Sequence, residues 1–211
     1  MSRPLTWLLC GMTGAFVLQF GADLVSFRPA TALTGLLALS RENLFSGQVW
    51  TLLTHAFLHS TTNLLHVAGS LAGIYLLGRS LEQTQGTRTL LAVFGSSILA
   101  GGLAWLVFAP GAEAPLLGAT AGVYGLLAYG ALAAPQREWR ILFFFAFPLC
   151  IRPRQLVAVL ATIDAVAFLL IDLLHRPWPF EYAPAPHLGG LLAGWGQGHT
   201  DRKSTRLNSS H

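Results

Sequence analysis

Residues 116–125 read LLGATAGVYG, and they open an apolar segment that runs to 134. Gly118, Ala119, Ala121 and Gly122 surround one hydroxyl, that of Thr120. Glycines four residues apart on a helix let a neighbouring backbone come close. Glycines beside a lone hydroxyl can also be the seat of a nucleophile. The flanking sequence and the bulk composition decide in what solvent this segment sits.

The chain has 211 residues, of which 53% are hydrophobic and 10% charged. Soluble domains carry about 25% charge. The mean hydropathy of +0.55 agrees. The sequence therefore predicts an all-α polytopic membrane protein built as one compact helical domain. Apolar runs mark six candidate helices, at 5–25, 62–81, 87–109, 116–134, 155–173 and 186–197. The first lacks an A-x-A-like cleavage site after it and reads as a retained span, with Asp23 near its outer end. Residues 26–61 form a long connection whose LTGLLAL and WTLLTHAF runs are too short to span and suit the interface. The run ILFFFAFPLCI, 141–151, is also short and reads as an interfacial hairpin or buried loop.

Charge orients the chain. With the N-terminus in the cytoplasm, Arg3, Arg79, Arg88, Arg137, Arg140, Arg152 and Arg154 fall inside, and Arg28, Arg41 and Arg176 outside. That bias follows the positive-inside rule. It explains the net charge of +4 without nucleic acid, because the arginines are scattered and do not alternate with aromatics. The partner implied by composition and charge is the lipid bilayer. Cys10 and Cys150 lie far apart and read as small apolar packing residues. The polar run HTDRKSTRLNSSH replaces the second half expected of the last helix. It looks like a translated sequencing adaptor, so the expected division is a membrane domain at 1–198 and a non-native tail at 199–211.

Ionisable groups inside a span are costly and ask for a reason. His187 begins the last helix in HLGGLLAG, where Gly190 and Gly194 form a second small-residue seam. Beside the GATAG helix, its imidazole could take a proton from Thr120, pairing a nucleophile with a general base. His66 and Ser70 lie one turn apart and could donate to a developing oxyanion. Gly69 and Gly73 form a third seam, most simply for packing. Asp164, alone in mid-helix, pairs with a histidine or lines a wet cavity; a proton-relay or transporter site would need more such groups. His55, His59 and His66 form an H-x3-H-x6-H array, but no HExxH occurs and no carboxylate lies nearby, so no metal site is assigned.

From residue 5 to 197 the chain resembles the rhomboid intramembrane serine proteases. GATAGVYGLLA is similar to their G-x-S motif opening the fourth helix, and HLGGLLAG to the stretch carrying the base histidine. GQVWTLLTHAFLH resembles the end of their long first loop, NLLHVAGSL their H-xxx-N motif, and GRSLE the end of the second helix at Glu82. The resemblance implies a six-transmembrane-helix bundle; the compact build and the lack of an organelle signal point to a bacterial inner membrane. The resemblance also implies a serine-type endopeptidase that cleaves transmembrane substrates near the outer face without metal or organic cofactor. Thr120 would stand at the nucleophile position, His187 as base, and His66 with Ser70 at the oxyanion.

Three departures leave activity open. Thr120 stands where the family has serine, Ser70 where it has asparagine, and Thr51 where it has the arginine of a Trp-Arg pair. That arginine is structural, so its loss predicts a less firmly held first loop. The alternative function is an inactive rhomboid-like protein, or pseudoprotease, that binds transmembrane clients.

Overall fold

The computed structural model describes residues 3–26, 32–109, 114–135, 138–143, 147–176 and 182–208, with the side chains of 139–143, 147–149 and 204–208 outside the description. Among the described residues, helices of 14 residues or more lie over the predicted apolar runs. They are α1 (Arg3–Ser26), α5 (Leu64–Gln85), α6 (Thr87–Phe108), α7 (Thr120–Ala133), α8 (Pro153–Phe168) and α9 (Pro184–Asn208). A π-helical turn, Leu169–Leu173, extends α8. Among the described residues, four helices are long and apolar enough to cross a bilayer: α1, α5, α6, and α8 with its π turn. At 14 residues α7 is shorter, about 21 Å of helix against a hydrocarbon core of about 30 Å. The chain is an all-α membrane protein in its architecture, with one addition. The 141–151 run lies in an antiparallel hairpin, β1 (Trp139–Phe143) and β2 (Phe147–Ile151), with Trp139 opposite Ile151.

Helix α7 is the centre. Its small residues let it be surrounded, and Ala121, Gly122, Gly125, Leu126, Ala128, Tyr129 and Ala131 are all buried. Glycines set the closest contacts. A Cβ on Gly190 would strike the Ala121 carbonyl, and one on Gly194 the Gly125 carbonyl, so α9 lies backbone-to-backbone along α7. On the other side, a Cβ on Gly73 would lie 2.6 Å from Val123. Gly69 faces open space, so the third seam closes through one glycine of its pair. The large exposed apolar residues, Val17, Leu103, Ile163 and Leu192 among them, sit on outer helices where lipid would cover them.

From residue 32 the long connection forms short helices: α2 (Ala32–Leu37), α3 (Arg41–Phe45) and α4 (Thr51–Thr54), then a 3-10 turn at His55–Phe57. Several hydrogen bonds tie its described residues to one another and to α6. The Arg41 guanidinium donates to the Leu106 carbonyl at the end of α6. Trp50 Nε1 donates to the Leu36 carbonyl at 2.8 Å, and the Thr54 hydroxyl to the Leu37 carbonyl at 2.8 Å. Backbone pairing of Leu39 with Leu116 fastens the connection to the strand of chain entering α7. Arg28 and Pro29 of this connection lie outside the described residues, as do Arg137 and residues 177–181 of the last loop.

Two expectations change. Cys10, on α1, and Cys150, on β2, are exposed and free rather than packed inside. Helix α9 does not stop near 197 but continues to Asn208. In its extension, Asp201 accepts a hydrogen bond from the Tyr129 hydroxyl of α7 at 2.7 Å. Residues 209–211 of the expected tail lie outside the described residues.

Candidate functional site

Thr120 is the first residue of α7, and Ala119 before it supplies no side-chain cap. The first-turn amides of a helix have no intrahelical acceptor, so they point outward as donors at the positive end of the helix dipole. The turn that delivers Thr120 is built by Gly118, whose φ of 106° strains any residue with a side chain. Gly118 N–H donates to the His55 carbonyl at 2.9 Å. A Cβ on Gly118 would lie 2.7 Å from the His66 ring, so the missing side chain is what lets that imidazole reach the turn.

His66 stands in the first turn of α5, edge-on to the His59 ring at 5.3 Å. Ser70 follows one turn on, with 2% of its surface exposed and its hydroxyl unpartnered. Behind them, His55 is buried with Nδ1 on the Thr51 carbonyl at 2.9 Å. Burial pushes its imidazole down to about 4, against a smaller opposing effect of that carbonyl. His59 is pushed down to about 4 first by burial and then by nearby His66. Both rings are therefore neutral at pH 7. Among the described residues no group of three or more His, Cys, Asp or Glu converges as a metal would require.

His187 enters from α9. Its ring stacks on Tyr124 with centroids 4.5 Å apart and planes 19° from parallel. Tyr124 is one helical turn beyond Thr120 on the same face of α7. The Gly190–Gly194 seam is what brings the two helices close enough for this stacking. Nδ1 of His187 lies 2.9 Å from Oδ1 of Asp164, a fully buried carboxyl on α8. The Tyr182 hydroxyl donates to the same oxygen at 2.5 Å, and the Tyr182 ring meets His187 edge-on at 5.3 Å. Burial, then the hydrogen bond to Asp164, raises the Tyr182 hydroxyl well above its ordinary value, so it stays a donor.

The residues singled out in the sequence thus gather at one end of the bundle. His66 abuts the turn before Thr120, and His187 lies over the turn after it. Among the described residues no hydrogen bond joins Thr120 to His187, whose Nδ1 is taken by Asp164. Catalytic hydrogen bonds in unliganded sites are often long and tighten with substrate. Sequence reasoning did not assign Tyr124 and Tyr182. Tyr124 had a usable signal, its four-residue spacing from Thr120. Tyr182 had none, since it reaches Asp164 from a loop. Asp164 was flagged by its cost in a span, but nothing local to it says which of seven histidines it meets.

The family model for the Rhomboid domain matches residues 46–204. No individual curated protein matches the chain. The matched stretch begins before α4 and takes in His55, His66, Ser70, Thr120, Asp164 and His187. It runs past the expected boundary at 198 to Ser204, through the residue that holds Tyr129. Spanning most of the sequence and the whole of the gathered site, it establishes that this chain belongs to the rhomboid family.

Proposed function

We propose that the chain is an intramembrane endopeptidase of the serine type, armed with threonine, that cleaves transmembrane protein substrates near the outer membrane face. In this reading six helices, α1 and α5 to α9, cross a bacterial inner membrane with the N-terminus in the cytoplasm. Thr120 attacks the peptide carbonyl, His187 accepts its proton, and His66, Ser70 and the first amides of α7 receive the oxyanion. The observation that carries the reading is the placement of His187, stacked over the turn after Thr120 with one ring nitrogen engaged by Asp164. No metal or organic cofactor enters this chemistry.

A second reading, an inactive family member that binds transmembrane clients, rests on the side chains themselves. The added methyl of Thr120 limits χ1 in a crowded turn. Ser70 presents a hydroxyl with no partner where an amide would reach further. One experiment separates the two: cleavage of a model transmembrane reporter in liposomes by the full chain, by Thr120→Ser and by His187→Ala. We expect slow cleavage by the chain as it stands, at least tenfold faster cleavage by Thr120→Ser, about 1.4 kcal/mol of barrier, and none by His187→Ala. Cleavage by Thr120→Ser alone would identify a site disarmed by one methyl group. Folded protein without cleavage in any form would leave client binding as the function.

A further inference from the structure

We propose that Asp164 is a positioning residue for His187, so that the site works as a relay of Thr120, His187 and Asp164 drawn from three helices. This deepens the peptidase reading and rests on it for its function, but not for its geometry.

Asp164 is fully buried in α8 and faces two donors on a single oxygen: Nδ1 of His187 at 2.9 Å and the Tyr182 hydroxyl at 2.5 Å. An ionised carboxylate only accepts hydrogen bonds. Nδ1 must then carry the ring's proton, and the lone pair of the neutral imidazole is forced onto Nε2. That is the atom a general base needs. Tyr124 against the face of the ring and Tyr182 at its edge stop it from turning to present the other nitrogen. A buried carboxylate is costly in a membrane, and pairing it to a ring that must hold one tautomer gives it a reason to be there.

The steps balance without any other reactant than water. Thr120 Oγ1 bonds to the substrate carbonyl carbon while its proton passes to Nε2. The C–N bond breaks as Nε2 returns that proton to the leaving nitrogen. Water then adds to the ester carbon, giving a proton to Nε2, and the ester C–O bond breaks as the proton goes back to Thr120. Throughout, the Nδ1 proton stays on the ring, held by the Asp164 carboxyl, which stabilises the transient imidazolium.

The test is nitrogen NMR of the full chain, uniformly labelled at histidine, in detergent micelles, with His187→Gln to assign the ring. In the unaltered chain Nδ1 of His187 should carry a proton and Nε2 the lone pair. In Asp164→Asn, where the amide can donate to Nδ1, the proton should move to Nε2. Reporter cleavage, followed in the Thr120→Ser background, should fall roughly 100-fold to 10,000-fold, as when a triad carboxylate is neutralised. A merely structural aspartate would not move the tautomer. A proton on Nε2 in the unaltered chain overturns the proposal, and so does a tautomer unchanged by Asp164→Asn. If Asp164→Asn does not fold, the tautomer of the unaltered chain decides alone. A responsive tautomer with no cleavage by any variant would sink the peptidase reading while leaving the positioning role standing.

Discussion

Thr120 and serine differ by one methyl group, and the surroundings decide how much that matters. The hydroxyl begins a helix, behind a glycine turn pressed by His66 and ahead of a tyrosine stacked on His187. Little there can shift to suit a stiffer side chain, because the turn is hydrogen-bonded to His55 and the helix packs backbone-to-backbone on α9. The buried histidines behind the site make a separate prediction. His55 takes up a proton near pH 4 when folded but near 6.5 when unfolded. Between these values the unfolded chain holds more protons, so acid favours unfolding, by about 3 kcal/mol over the whole window for one such residue. The unfolding midpoint in detergent should fall as pH drops from 6.5 towards 4, and less steeply in His55→Gln. An equal slope in both would show that His55 does not titrate this way.

At the scale of elements, the pairing of α7 with α9 depends on missing side chains. Gly194→Ala places a methyl group in the Gly125 carbonyl, and backbone cannot step aside as a flexible side chain can. Overpacking of this kind costs about 1–3 kcal/mol. It should also carry His187 away from Tyr124, so cleavage should fall with stability. Gly69→Ala is the control, since nothing lies within 4 Å of its added methyl. We expect a lowered unfolding midpoint for the first and no loss for the second, read by thermal unfolding in the same detergent. The first loop is tied to the bundle by a side chain of its own, Arg41, which donates to the Leu106 carbonyl at the end of α6.

For the molecule as a whole, the end of α9 is the sharpest question. Its composition argued for exclusion from 199 onward, yet Asp201 bonds Tyr129 in the central helix. A chain ended after Gly198 should therefore unfold at a lower temperature, and Tyr129→Phe should reproduce part of that loss. A chain ended after Ser204 should match the full chain. Should the cut after Gly198 leave the midpoint unchanged, the extension contributes nothing to the fold.

Much of this was readable from residues alone. The apolar runs became helices, four of them long and apolar enough to span among the described residues, because hydropathy reflects how backbone groups must be satisfied in lipid. Thr120, His187, His66 and Ser70 were legible as candidates, because a polar side chain in an apolar helix is conspicuous. What tertiary structure alone decided was partnership. Asp164 and His187 are separated by a loop, as are Tyr182 and Asp164, and no periodicity links them. Gly118 looked like half of a packing seam and proved to be a turn that admits His66. Hydropathy is a property of each residue and survives in a list. A hydrogen bond between helices depends on their relative rotation and depth, which exist only once small residues have let the helices close on one another.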